Sequence, residues 1–266
     1  MSFLSRIFGP TPTAAPVSSQ HEDDAFGSGL DEHAHLIVAR WSSGQRAEYL
    51  GYGVDALVAC RALEEGRFDE ADRGFAALLR IASAPVHLLR DAGRAKLLLG
   101  DRFAAEQIFV RFLDASDAST DRERRFETRV DLATIADERG EIDRAIEWLS
   151  DQLEESGDPS ATLVLGRYLR QRGFFDEALD VVRGLLGGEG PGETAVLEEA
   201  GLCEFGRGDL RSAERYLGEV LRRAQCSCGK KVPEATGIAL AALYETTGRP
   251  QEAAEILRNI GGGCRT

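Results

Sequence analysis

Cysteines are the residues of this chain whose type and spacing point most directly to chemistry. Cys226 and Cys228 are separated by a single residue, and Cys264 lies near the end of the sequence. Three thiolates could bind zinc. However, the two-residue spacing of a zinc knuckle is absent, and no fourth ligand is obvious nearby. We therefore expect ordinary thiols here and no cofactor, and the alternative is a cysteine loop that senses a metal or the redox state.

The other cysteines and the N-terminus bear on the cellular compartment. Cys60 and Cys203 fall within helical patterns and should be small core residues. Five cysteines at irregular spacing make a poor disulfide framework. No apolar run is long enough to span a bilayer, and Met1–Gly9 is too short for the core of a signal peptide. These features favour a reducing cytoplasm.

Short motifs elsewhere do not combine into an active site. His33 and His35 are two residues apart, so they diverge on a helix and do not form a metal-binding pair. The Gly229–Lys231 segment lacks the earlier glycine and the following Ser or Thr of a phosphate-binding loop. No nucleophile lies in a recognisable motif with a base. We therefore expect a protein that is not an enzyme.

The charge and composition exclude another class of function. The 266 residues include 32 basic and 45 acidic side chains, which gives a net charge of −13. Such a surface repels phosphate backbones, so nucleic acid is not expected as a partner. With 43% hydrophobic and 29% charged residues, the chain is typical of a soluble globular protein.

Helical periodicity accounts for nearly all of the chain after residue 29. Leu30–Trp41 and Arg46–Glu65 carry apolar residues at three- and four-residue spacing, and Ser42–Gln45 separates them. Strand patterns are nearly absent. Glycine then recurs at intervals of 34, 40, 33, 35 and 40 residues. The glycines of this series are Gly66, Gly100, Gly140, Gly173, Gly208 and Gly248.

The residues around these glycines repeat as well. Alanine stands five residues after each one, at Ala71, Ala105, Ala145, Ala178, Ala213 and Ala253. A larger apolar residue stands nine after, at Phe75, Phe109, Leu149, Val182, Leu217 and Leu257. A very small residue stands seven before, at Ala59, Gly93, Ala133, Gly166, Gly201 and Ala241. Each glycine should therefore end a first helix, small residues should let a second helix pack closely against it, and the larger apolar residue should fill the gap beside them. Prolines fall where the next helix pair should begin, at Pro85, Pro159, Pro191 and Pro233.

This pattern resembles the tetratricopeptide repeat (TPR). The segments Gly66–Ala71 and Gly173–Ala178 match its turn signature best, and the resemblance covers roughly Gly53 to Ile260. It implies an all-α fold, a right-handed α-solenoid of about six TPR-like helix-turn-helix repeats with an extra N-terminal helix. The intervals of 40 residues predict longer loops near Ser116–Arg122 and Gln225–Val232.

The resemblance also implies a partner-binding groove lined by the first helices. Its candidate residues are His87, Arg90, Arg94, Leu97, Glu127, Val130, Thr134, Asp137, Ser160, Leu163, Arg167 and Arg170. Arginine forks suit carboxylates, so an acidic or C-terminal segment of a protein partner is expected. The alternative is that these arginines pair within the groove with acidic residues, at Glu127, Asp131 and Asp137.

The N-terminal region differs in composition from the repeats. We predict that residues 1–29 form a flexible tail and that residues 30–266 form the helical repeat domain. Four large apolar residues near the start could form one face of a short helix, at Phe3, Leu4, Ile7 and Phe8. We favour the interpretation that this segment docks onto a groove of a protein. The alternative is that the segment tethers the protein to a membrane or compartment, although a short segment with one cation would bind a membrane only weakly.

Taken together, these observations predict a cytoplasmic scaffold or adaptor that binds a partner peptide or helix and catalyses no reaction. The identity of the partner and the oligomeric state do not follow from the sequence.

Overall fold

A computed structural model describes residues 32–187, 192–226 and 233–261, and within them the backbone is built from α-helices. Two helices come first, α1 (Glu32–Ala39) and α2 (Ser43–Leu50). Six helix pairs follow, each made of a first and a second helix. They are α3 (Val54–Glu64) with α4 (Phe68–Ile81), α5 (Val86–Leu98) with α6 (Arg102–Ala115), α7 (Arg122–Glu138) with α8 (Ile142–Ser156), α9 (Pro159–Gln171) with α10 (Phe175–Arg183), α11 (Glu193–Arg207) with α12 (Leu210–Cys226), and α13 (Glu234–Thr246) with α14 (Pro250–Gly261).

The glycine of each repeat ends the first helix of its pair, as the sequence predicts. All six glycines of the series have φ between 77° and 85°. A Cβ disfavours this left-handed backbone, so glycine is the residue that closes the helix without strain. Pro85, Pro159 and Pro233 stand at or directly before the start of a first helix, while Pro191 lies outside the described residues. The pairs therefore begin and end where the sequence pattern places them.

Close packing of the two helices in a pair depends on the small residue of the first helix. A Cβ placed on Gly93 would lie 2.5 Å from Cδ1 of the buried Phe109 ring. A Cβ on Gly201 would lie 2.6 Å from Cδ2 of Leu217. The alanine five residues after each turn glycine is buried in all six pairs. The repeat positions thus fix the distance between paired helices.

The last pair departs from this rule. Leu257 is 47% exposed, whereas the equivalent residues of the other five pairs are buried. The Ile260 side chain fills the space beside α13 instead. A Cβ placed on Gly237 would lie 2.5 Å from Cγ1 of Ile260. The expectation that Leu257 fills the gap is therefore wrong, because Ile256 and Ile260 present their side chains to α13 in its place.

The N-terminal helices also differ from the expectation. The sequence predicts one helix over residues 46–65, but the structure divides this stretch between α2 and α3. Gly53 has φ of 60° and lies between the two helices. Trp41 and Tyr49 pack edge to face with ring centroids 5.1 Å apart and join a core that includes Leu57, Phe75 and Leu88. α1 and α2 are thus packed onto the first two pairs.

The chain separates into two compact units between Trp148 and Leu149. In the first unit, Phe109 packs with Leu132 and Ile135 in a cluster of its own. In the second unit, a core around Leu217 and Leu240 joins α11–α14. No helix among the described residues is both long and apolar enough to cross a membrane.

Candidate protein-binding faces of the first helices

The candidate groove residues recur at fixed positions, 13, 10, 6 and 3 residues before the turn glycine. We call the surface that these positions form on the first helices of one unit its first-helix face. In the first unit it lies on α3, α5 and α7, and in the second on α9, α11 and α13. The two faces are described separately.

Arg90 is held inside the first unit by carboxylates of the next first helix. Its side chain is 4% exposed, and Nη2 lies 3.0 Å from Asp131 Oδ2 and 3.3 Å from Glu127 Oε2. The guanidinium carbon also lies 5.2 Å from the centroid of the Phe109 ring. Burial lowers the pKa of Arg90, and the charge of Asp131 opposes this shift. Arg90 therefore ties α5 to α7, as the internal-pairing alternative describes.

Arg94 lies one turn further along α5 and is exposed. It forms no hydrogen bond or ion pair with any residue that the structure describes, although burial raises the pKa of Asp131 and the Arg94 charge opposes this shift. Leu97, one turn later again, is half-buried and packs against the cluster around Phe109. A free guanidinium beside an apolar side chain is an arrangement that an acidic peptide could use.

Thr134 and His87 are buried in the first unit. The Thr134 hydroxyl donates to the Val130 carbonyl at 2.7 Å within α7. Nε2 of the His87 ring lies 3.7 Å from Oδ1 of Asp121. Burial lowers the pKa of His87, and the nearby Arg124 charge lowers it further. Neither side chain offers a free polar surface to a partner in this arrangement.

Helix α2 covers part of the first-helix face of the first unit, which the sequence analysis missed. The Glu48 carboxylate accepts hydrogen bonds from the backbone N–H groups of His87 (2.8 Å) and Leu88 (3.0 Å). Tyr49 donates to Asp91 Oδ2 at 2.5 Å, and Gln45 Nε2 donates to the same oxygen at 3.0 Å. Arg124 on α7 donates to Gln45 Oε1. The spacing of Gln45, Glu48 and Tyr49 on one helical side is the signal that could have indicated this contact.

The second unit repeats the pairing between successive first helices. Glu199 on α11 is buried and accepts from Arg170 on α9, and Arg167 Nε lies 3.4 Å from its other oxygen. Burial raises the pKa of Glu199, and the two arginines oppose this shift. Arg167 and Arg170 keep 26% and 21% of their side chains exposed. Each can therefore hold Glu199 and still present an edge to solvent.

Apolar side chains complete the first-helix face of the second unit. Leu163, Leu202 and Phe205 are half-buried at the equivalent positions of α9 and α11. Ile238 on α13 is 52% exposed. The Thr236 hydroxyl donates to Glu198 at 2.7 Å and links α13 to α11. A face that carries partly exposed apolar side chains and partly exposed arginines is typical of a surface that binds a peptide or helix.

Several predicted site residues fall where the structure gives no description. Phe3, Leu4, Ile7 and Phe8 lie outside the described residues, as do Cys228, Cys264 and the side chain of Cys226. Within the described ranges, no three His, Cys, Asp or Glu side chains are grouped so that they could hold a metal ion. Cys60 and Cys203 are buried, and burial raises the pKa of both thiols, that of Cys203 to about 12.

Comparison with known proteins adds the fold to this geometry. No family model matches the sequence, and no curated protein matches it. Two structures of MamA match at 19% identity, one over 63% of this chain and 95% of its own with a TM-score of 0.51, the other over 65% and 91% with a TM-score of 0.52. The TPR-like repeats of a Podosopora anserina kinesin light chain match at 19% identity over 67% of this chain and 95% of theirs, with a TM-score of 0.51. The chain therefore has the tetratricopeptide-repeat fold, an all-α solenoid of helix-turn-helix repeats.

Proposed function

We propose that this protein is a non-catalytic scaffold or adaptor that binds a protein partner through the first-helix faces of its TPR-like repeats. The partner contributes an acidic segment or a C-terminal carboxylate, and the complex forms in the cytoplasm. The TPR fold supports this proposal because each repeat places the same four positions of its first helix on one surface.

The observation that carries the proposal is the state of Arg94. The other candidate arginines, Arg90, Arg167 and Arg170, each pair with a carboxylate of the neighbouring first helix. Arg94 is exposed and unpaired among the described residues, although Asp131 is held nearby by Arg90. The Arg94 charge opposes the rise that burial causes in the pKa of Asp131, but an exposed guanidinium that forms no ion pair of its own can bind an anionic group of another molecule.

The test is a capture experiment with a matched control. Wild-type protein immobilised on a resin should retain a partner from the lysate of its own source, and Arg94→Glu should lose most of that partner. Arg80→Glu makes the same change of charge on exposed Arg80, which lies on the second helix α4. Both variants should stay folded with small losses of melting temperature, because the Arg94 charge opposes the rise that burial causes in the pKa of Asp131, and Arg80 lies in the last turn of α4, where a cation favours the helix.

The two variants separate specific from general effects. Equal loss of the partner in both would mean that net charge, and not the first-helix face, governs binding. Unchanged capture in both would place the binding surface elsewhere.

A further inference from the structure

Helix α2 is short and contacts the first unit through a few side chains. It has eight residues, too few for a stable helix in isolation. Only Gln45 and Tyr49 are buried, whereas Ser43, Gly44 and Ala47 are exposed. The contact of α2 with the first unit therefore depends on the polar side chains directed toward α5 and α7 and on the Tyr49 ring, which is buried beside Trp41 in the core.

Those side chains form one recognition surface. Gln45, Glu48 and Tyr49 occupy positions i, i+3 and i+4, so they share one side of the helix. They bring an amide, a carboxylate and a phenol to the first-helix face, and each meets a complementary group there.

The Glu48 carboxylate caps the N-terminus of α5. The first backbone N–H groups of any helix have no partner within it. Pro85 precedes α5 and offers no side-chain cap. Glu48 supplies the missing acceptor for His87 and Leu88 from a helix that lies 39 residues earlier in the chain. The positive end of the α5 dipole adds to this attraction.

Asp91 provides the second half of the site. Its carboxylate is buried, accepts from both Gln45 and Tyr49, and lies 4.0 Å from Arg124 Nη1. That Arg124 nitrogen is itself buried without a hydrogen-bond partner. Without α2, Asp91 would lose both of its donors and keep only the Arg124 charge nearby, so it would present free acceptor capacity to an incoming helix.

We propose that α2 is an intramolecular ligand of the first unit, and that the partner helix recognised by this face carries the same arrangement of amide, carboxylate and phenol at i, i+3 and i+4. This inference rests on the proposed function. In the free protein α2 occupies the face, and a partner helix of this chemistry binds by displacing it. Gly51–Gly53 connects α2 to α3, and the left-handed backbone of Gly53 allows a change of direction there.

The experiment measures binding of a synthetic peptide to the full-length protein. A fluorescent peptide spanning residues 40–53 is titrated with wild type and with the Gln45→Ala, Glu48→Ala double variant, and anisotropy is recorded. The variant weakens the internal competitor but keeps Tyr49, so we expect it to bind the peptide about tenfold more tightly than wild type does. A peptide that carries Glu48→Ala should bind the variant at least about tenfold more weakly than the unaltered peptide.

Controls make each outcome decisive. Ala47→Ser alters an exposed residue of α2 and should leave peptide binding at the wild-type level. The inference is refuted if the double variant keeps its helical circular dichroism but binds no peptide. It is also refuted if both the double variant and Glu48→Gln lose their helical signal, since α2 would then be an integral part of the fold. A failed peptide titration together with loss of partner in Arg94→Glu would leave the proposed function standing and overturn this inference alone.

Discussion

The contact between Gly93 and Phe109 gives the most direct test of how the helix pairs are held together. A Cβ at residue 93 would lie 2.5 Å from Cδ1 of the Phe109 ring, whereas carbon atoms in ordinary contact are about 3.5–4.0 Å apart. The ring would have to move by about 1 Å to accept it. Phe109 is fully buried against Leu132 and Ile135, so little room is available for that movement.

Two opposing effects determine how much Gly93→Ala should change the free energy of unfolding. Replacing glycine by alanine inside a helix favours folding by about 1 kcal/mol. Overpacking a filled core costs about 1–3 kcal/mol. The variant should therefore lie between wild-type stability and a loss of about 2 kcal/mol.

A second glycine isolates the packing term. Gly218 lies within α12, and a Cβ there would meet nothing within 4 Å. Gly218→Ala should therefore gain the helix propensity without the clash, and stabilise the protein by about 1 kcal/mol. The free energy of unfolding should differ by about 1–3 kcal/mol between the two variants, with Gly93→Ala the less stable.

Urea unfolding followed by circular dichroism measures this difference, and Trp148 fluorescence reports on the cluster around Phe109. Adding Phe109→Leu to Gly93→Ala should cost less than the sum of the single changes, because the smaller side chain makes room for the methyl group. Equal stability of Gly93→Ala and Gly218→Ala would refute the account of close helix packing.

Three further predictions concern charge, pH and the N-terminus. Arg170→Ala should lower the free energy of unfolding in urea by about 1–3 kcal/mol, because it removes a hydrogen bond to the buried Glu199. A change within error would mean that Arg167 alone is a sufficient partner for the Glu199 carboxylate. The pKa of His87 is lower in the folded protein than in the unfolded chain. The contribution of His87 to the free energy of unfolding should therefore be complete above its ordinary pKa of about 6.5 and should be lost as the pH falls. The stability of wild type relative to His87→Gln should therefore shrink as the pH falls below about 6.5, and a constant difference would contradict this. Deleting residues 1–20 should leave the melting temperature nearly unchanged but weaken one partner interaction, whereas liposome binding lost on this deletion would favour the membrane tether.

The turns and the packing positions of the repeats could be predicted because they depend on local rules. A left-handed turn requires glycine wherever it occurs, so six glycines in register identify six turns. The contact of Gly93 with Phe109 follows from the same register, since both positions recur in every pair. Leu257 was predicted wrongly because the neighbouring Ile256 and Ile260 can satisfy the same periodicity.

The polar contacts could not be predicted because they depend on distances between helices far apart in the sequence. Arg90 could face solvent or a carboxylate of the next helix, and only the spacing of α5 and α7 decides. The contact of Gln45 with Asp91 joins residues 46 positions apart. Periodicity describes one helix at a time, so it could not indicate that α2 would lie against α5.

Site-specific photo-crosslinking tests the central claim most directly. A photoreactive amino acid is placed at Glu127 or Ile238, two exposed positions of the first-helix faces that leave Arg94 in place, and at exposed Arg80 or Arg211 on second helices as controls. The account predicts that the captured partner crosslinks from Glu127 or Ile238 and not from the two control positions. Crosslinks formed only from Arg80 or Arg211 would contradict it, because the partner would then bind the second helices.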